Sequence, residues 1–318
     1  MKIIVYGLGR EFENLRELLY EVYDVVALCD KEKKPFDNYV SIDELDQIEY
    51  DAIFITSSKY RSKIEDSIAK RFYSRKILFL GKEDLLGKSK NPAARDSWVI
   101  EKLQSLPTGL VLLDAGAGEM KYSKYCNHLK YIAQDFGEYD PIESNVGLQM
   151  DKWDYPESIV RCDIVKMPFP DESIDVVLCT EVFEHIKDPL AALKEFNRVL
   201  KKNGRLILTA PFSCLVHMAP YFYNCGFSEY WYKENLKDYG FYIDEISSYG
   251  NYFNWLQQEI QRVPSVVEKY CDEKMLASDL KEINRMAFLL NKYDNKKNNS
   301  NELLCFGYRV VAHKCFSC

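Results

Sequence analysis

Short apolar runs alternate with stretches of helical spacing through the first 86 residues. Ile3 to Tyr6, Val25 to Cys29, Ala52 to Thr56 and Ile77 to Leu80 predict strands. Between them, Glu11 to Tyr20 and Lys59 to Phe72 repeat apolar residues at the period of a helix. Strands separated by crossover helices predict a parallel sheet. From Lys82 to Asp96 the chain turns polar and collects Gly87, Ser89, Asn91 and Pro92, which predicts a linker. A helix over Ser97 to Leu106 follows, stopped by Pro107 and Gly109, and the alternation then restarts. Leu110 to Asp114, Tyr131 to Gln134, Ile159 to Cys162, Val176 to Thr180 and Arg205 to Thr209 predict strands, and Asp188 to Leu200 a helix closed by Asn203-Gly204. Further helix near Tyr232 to Tyr239, a strand from Phe241 to Ile246 and a last strand from Leu303 to Ala312 complete the second unit. The expected boundaries are 1–88 for a small α/β domain, 89–97 for the linker, and 98–318 for a larger α/β domain with a helical insertion at about 251–300.

Length and composition leave that picture standing. A chain of 318 residues is about twice a domain of roughly 150 residues, so two folded units are expected. A net charge of -7 without a basic block gives no electrostatic footprint for nucleic acid. Residue 1 leads directly into the first strand without a signal-peptide pattern, and no apolar run reaches the roughly 18 residues a membrane span requires. A cytoplasmic protein with a small-molecule substrate and no membrane partner is the expectation. Its ten cysteines are then reduced thiols. The pair Cys315-Phe-Ser-Cys318 lacks a second pair or a His cluster to complete a four-ligand zinc site, so no metal is expected.

The chemistry concentrates at strand ends of the second unit. Val111-Leu112-Leu113-Asp114-Ala115-Gly116-Ala117-Gly118-Glu119 is an apolar strand ending in an acid and two glycines. Glycines there let the backbone pass close to a ligand, and a helix expected next would offer free N–H groups. Asp135, 21 residues after Asp114, ends the next strand, where a carboxylate can accept both hydroxyls of a ribose. Asp163 with Ile164 ends the third, and Asp175 to Ile186 runs from a strand into Thr180, Glu181 and a turn.

The succession Asp-Ala-Gly-Ala-Gly-Glu, Gln-Asp-Phe, Cys-Asp-Ile, the run at 175–186 and Leu200 to Phe212 resembles the class I S-adenosylmethionine-dependent methyltransferases typified by the quinone-biosynthesis enzymes. The resemblance covers roughly residues 108–215 and departs at Met120, where many members carry a third glycine. It implies a seven-stranded Rossmann-like sheet with the last two strands in a hairpin, preceded here by the smaller parallel α/β domain. It also implies S-adenosyl-L-methionine as cofactor. Carried over by position, Asp114, Ala115, Gly116 and Gly118 would hold its amino-acid end, Asp135 its ribose, Phe136, Asp163 and Ile164 its adenine, and Thr180 and Glu181 the sulfonium side.

A hydroxyl acceptor is a poor nucleophile while protonated and benefits from a general base. Of the four histidines, His128, His185, His217 and His313, the candidates are His217, in the loop after the fifth strand of the second unit, and His185, after the fourth. Tyr221, Tyr223, Tyr230 and Trp231 continue that loop and suit a wall for a sugar or other ring, with core packing as the alternative. In the first unit, Gly7-Leu8-Gly9 and Asp30 resemble the truncated nucleotide-binding domains of bacterial surface-sugar enzymes, with Phe12 where a third glycine would stand. Ligand binding there is set against a docking module, for which a homodimer is one arrangement. Three functions follow: methylation of a small polar acceptor such as a sugar or nucleotide-sugar of cell-surface polysaccharide, methylation of a lipid or quinone-like ring, or an NAD-dependent oxidoreductase or sensor working through the first unit.

Overall fold

The computed structural model describes residues 1–73, 76–87, 91–141 and 146–315. The chain divides into two compact units, one formed by Met1–Ser89 with Phe253–Asn298, the other by Lys90–Tyr252 with Asn299–Cys318.

In the first unit β1 (Lys2–Tyr6), β2 (Asp24–Cys29), β3 (Ala52–Ile55) and β4 (Leu78–Gly81) form a fully parallel sheet in the order β2-β1-β3-β4. Helices α1 (Arg10–Val22) and α2 (Arg61–Arg71) provide the crossovers, as the apolar pattern predicts. Gly7 takes a positive φ of 93° and carries the turn after β1, a conformation that suits glycine. Asp30 accepts the Leu8 N–H at 2.6 Å and so clamps this turn from the end of β2. Phe12 is fully buried edge-on to Phe36, filling the space a third glycine would leave open.

Two helices reached much later in the chain also belong here. Ala287, on α8 (Ala277–Asp294), is buried in the same apolar cluster as Leu15, Leu85 and Leu86. Lys281 and Arg285 of α8 pair with Glu17 and Glu21 of α1. From α7 (Tyr252–Cys271), the Gln257 amide donates to Leu86 O and Ala287 O. The expected insertion at about 251–300 therefore lies where the sequence places it in chain order, but its apolar faces are buried in the first unit rather than the second. The expected linker at 89–97 is corrected as well. After a short α3 (Lys82–Leu86), helix α4 (Asn91–Gln104) has Pro92 in its first turn, where the missing N–H costs nothing.

In the second unit, seven strands run in the order β10-β11-β9-β8-β5-β6-β7, namely β5 (Val111–Ala115), β6 (Lys130–Asp135), β7 (Val160–Arg161), β8 (Ile174–Thr180), β9 (Leu200–Pro211), β10 (Phe241–Tyr249) and β11 (Gly307–Lys314). Strands β5 to β9 are parallel to one another, while β11 is antiparallel to both β9 and β10. This is the α/β sheet with a closing hairpin that the sequence predicts. On one face α5 (Pro189–Val199), capped by the Asp188 carboxylate on Ala191 N, buries Leu193 and Phe196. On the other, α4 (Asn91–Gln104) buries Trp98, Val99 and Leu103 over Leu112 and Val176. No helix among the described residues is long and apolar enough to cross a membrane.

Candidate functional site

Parallel strands bring the ends of β5, β6, β7 and β8 to one edge of the sheet, where open α/β sheets bind ligands. Gly116 and Ala117 both donate to Gln134 O at 2.9 Å, so the glycine turn after β5 is fastened to β6. Asp135, only 8% exposed, accepts the Gly118 N–H and the Gly137 N–H, each at 2.8 Å. The carboxylate thus shapes the turn and still has lone pairs free for further donors. Burial raises the Asp135 pKa, against the lowering effect of those two N–H groups.

Gly116 and Gly118 take positive φ values of 81° and 51°, and Met120, where the resemblance led to the expectation of a third glycine, also sits at +57°. No α-helix follows this turn. Its continuation is a single 3-10 turn at Ser123–Tyr125, since a left-handed Met120 interrupts helical hydrogen bonding immediately after the glycines. The expected helix N-terminus is therefore absent, and ligand donors at this point are confined to the turn itself. A Cβ on Gly116 would stand 2.4 Å from Val182 Cγ2. Gly116→Ala is expected to lower stability by roughly 1–3 kcal/mol through this clash and the positive φ, measurable as a lower midpoint in urea.

Asp114 lies on the face covered by α4 and is 1% exposed, with the Tyr131 hydroxyl donating to its Oδ2 at 2.5 Å. Burial pushes its pKa up to about 7, with Tyr131 opposing and Asp135 adding to the rise. Asp163 lies two residues past the end of β7 and accepts the Val165 N–H at 3.1 Å in a local turn, with Ile164 buried beside it. Phe136, half exposed, meets Tyr221 edge-on at 5.8 Å. The strand ends expected to hold a nucleoside thus touch the loop expected to face an acceptor. Trp153, which the sequence did not single out, lies against Gly118 and stacks edge-on with Tyr139 and Tyr155.

At the end of β8, Thr180 is half-buried and Glu181 adopts a positive φ of 55°, a strained position of the kind held at functional sites. Thr209 Oγ1 at 2.9 Å and Tyr249 Oη at 3.3 Å donate to Glu181 Oε1, and Arg95 Nη1 lies 3.0 Å from Oε2. Burial works against the charge of Arg95, yet Glu181, with Tyr249, Tyr122 and Asp96 adding, holds its pKa above the ordinary arginine range. Arg95, Thr209 and Tyr249 escaped the sequence reading because one falls in the supposed linker and the others lie on remote strands.

Glu184 is 1% exposed, and its Oε2 has no hydrogen-bond partner. Burial, then the neighbouring Glu181 charge, raises its pKa well above the carboxylate range. His185 Nδ1 contacts Tyr221 O at 2.5 Å, and His217 Nδ1 contacts Leu215 O at 2.9 Å. The two rings cross at 81° with centroids 4.7 Å apart. Burial, with the His217 ring adding, pushes His185 down to about 4. The two candidate bases therefore converge with Glu184, a residue that sequence reading passed over. His313 instead pairs with Asp244 between β11 and β10.

The aromatic wall is partly corrected. Tyr221 and Tyr223 lie in the loop beside His185, with Tyr223 N donating to Glu184 O at 2.9 Å. Trp231, on α6 (Glu229–Asp238), packs against Phe183 and Phe227 in the core, and Tyr230 is 77% exposed on the same helix. Adjacent helical residues point about 100° apart, so these two cannot share one wall. The C-terminal Cys315 to Cys318 pair lies partly outside the described residues.

Residues 113–208 match the family model described as a methyltransferase domain, and residues 1–78 match the one described as C2185-like, N-terminal. An uncharacterized protein of Methanocaldococcus jannaschii is 32% identical over 35% of this chain and 45% of its own length. A probable S-adenosylmethionine-dependent methyltransferase of Mycobacterium tuberculosis is 28% identical over 37% of this chain and 41% of its own. A ubiquinone biosynthesis O-methyltransferase of Bradyrhizobium diazoefficiens is 33% identical over 32% and 40%. The chain thus spans under half the length of these curated relatives.

Proposed function

We propose, from a methyltransferase domain at residues 113–208 whose cofactor is S-adenosyl-L-methionine, that this chain methylates a hydroxyl-bearing small molecule. The observation that carries this reading is the pairing of Asp135, clamped on Gly118, with Phe136, in contact with the loop of His217. The residues fit the cofactor: the buried acids Asp114 and Asp135 suit a ligand bearing ammonium and sulfonium charges.

In this reading Asp135 accepts the ribose hydroxyls, Phe136 and Ile164 pack on adenine, and Asp163 accepts from its amino group. Gly116, Gly118, Ala115 and Asp114 form the pocket for the amino-acid end. Thr180 and Glu181 face the sulfonium, with Glu181 held in place by its ion pair with Arg95. The cofactor supplies a methyl group that already carries its leaving group, so the protein's task is alignment and exclusion of water. His185 and His217 face the acceptor oxygen and activate it, while Tyr221 and Tyr223 line the approach.

A sugar or nucleotide-linked sugar of cell-surface polysaccharide is the acceptor we favour, because aromatic faces with polar edges suit such a ring. The relative named as a ubiquinone biosynthesis O-methyltransferase supports a quinone-like ring as a second reading. Thermal-shift titration tests the class. S-adenosylhomocysteine at 100 times its Kd should stabilise the protein by about 2.7 kcal/mol, whereas NADH should not. A shift with NADH alone would instead support an oxidoreductase or sensor acting through the glycine turn of the first unit.

A further inference from the structure

We propose that the first unit binds a neutral, hydroxyl-rich ring of monosaccharide size in a cavity of about 350 Å³ lined by α1, α3, α7 and α8. Every lining residue belongs to that unit. In its sheet the chain steps from β1 to β2 on one side and then crosses to β3 on the other. Open α/β sheets bind ligands at such a switch point, outside the carboxyl ends of the strands. The cavity draws on the segments that follow those ends: α1 after β1, Ser58 after β3 and α3 after β4. Residues on one face of each longer helix line it together, Glu11 and Asn14 on α1, Gln261 and Pro264 on α7, and Leu280 and Asn284 on α8.

Asn14 and Asn284 point to a ligand. They are only 7% and 6% exposed, and neither side-chain amide hydrogen-bonds to another described residue. Leaving a buried carboxamide unpaired is costly, and each of these offers two N–H donors and a carbonyl oxygen to the cavity. Gln261 donates its amide to Gly87 O at 3.2 Å and has its own carbonyl oxygen left over as an acceptor. Pro264, inside α7, has no N–H for the Ile260 carbonyl one turn earlier, which leaves a backbone acceptor on the same side of that helix.

The lining selects the class of ligand. Carboxamides both donate and accept, as vicinal hydroxyls do. Lys82 is already paired with Glu11 at 3.2 Å, and Glu83 adds a second carboxylate, so the lining holds no free cation for a phosphate. Among the described residues no aromatic ring lines the cavity, so a nucleobase has nothing to stack on. Leu86, Pro264, Leu280 and Ile283 instead suit the C–H face of a saturated ring. None of these residues takes part in methyl transfer, so the site is independent of that reading.

The test titrates the full chain with D-glucose, D-galactose, D-mannose and N-acetyl-D-glucosamine, beside uridine and ribose 5-phosphate, and reads binding by saturation-transfer NMR. At least one neutral sugar should bind saturably, with Kd raised roughly tenfold or more in Asn14→Leu and in Asn284→Leu. Both variants should melt at or above the wild-type temperature, because leucine replaces an unpaired buried amide. Two variants are used so that misfolding of one does not decide the outcome. Amides with a purely structural role would give the reverse, a lower melting temperature with sugar binding intact. That result, or no saturable binding of any neutral sugar, would overturn the site. Binding of uridine or ribose 5-phosphate ahead of every neutral sugar would overturn the ligand class.

Discussion

Asp135→Ala is expected to abolish the thermal shift produced by S-adenosylhomocysteine, with affinity falling by roughly 100- to 1000-fold. Hydrogen bonds to a charged group contribute about 1.5–3 kcal/mol each, and Asp135 is placed to accept two from one ribose. The same carboxylate holds Gly118 N–H and Gly137 N–H, so the alanine variant also loses the clamp on the glycine turn. Its melting temperature should fall on that account even without ligand. Asp135→Asn separates the two roles. The amide oxygen can keep one backbone donor while charge and one acceptor are lost, so the ligand-free protein should remain near wild type as the ligand shift shrinks. A folded Asp135→Ala protein that still shifts normally with S-adenosylhomocysteine would remove this residue from the ribose site.

How much of this arrangement could be read from the sequence depends on whether the signal is local. Asp135 was legible because it ends an apolar run at a fixed distance from Gly116 and Gly118, and a parallel sheet places such ends along one edge. Both sheets and nearly all their strands were legible for the same reason. Helices α7 and α8 show the limit, because periodicity marks an apolar face without saying which core will bury it. Ala287 and Gln257 chose the first unit through contacts with residues about 170 to 270 positions earlier. Arg95 was hidden by its polar, proline-containing context, although Pro92 is as good a helix starter as it is a linker residue. The convergence of His217 on Glu184 and His185 spans 32 positions and depends on where an irregular loop returns, which no spacing rule reports. Trp231 was misjudged because aromatic density in a loop is common to binding walls and cores alike.

A second large effect should appear in the pH dependence of Asp114→Asn. In the folded protein the Asp114 pKa is raised from 3.8 to about 7, chiefly by burial. Between these values the folded state holds a proton that the unfolded state has released. Stability therefore declines as pH rises through this window, and the full cost of the charge is present only above about pH 7. Some three pKa units correspond to about 4 kcal/mol. Asparagine never carries that charge, and its oxygen can still accept from the Tyr131 hydroxyl. Its amide N–H groups need an acceptor in the same apolar pocket, at a cost of about 1–3 kcal/mol. The variant should thus be the more stable protein at pH 8, by about 2 kcal/mol, and equal to or less stable than wild type at pH 5. Urea unfolding of both proteins at the two pH values measures the crossing. Parallel stability curves would mean that the charge at Asp114 costs nothing in the folded state. If the crossing occurs while the variant binds S-adenosylhomocysteine more weakly, the protein retains an unneutralised buried acid because the ammonium of its ligand supplies the missing cation.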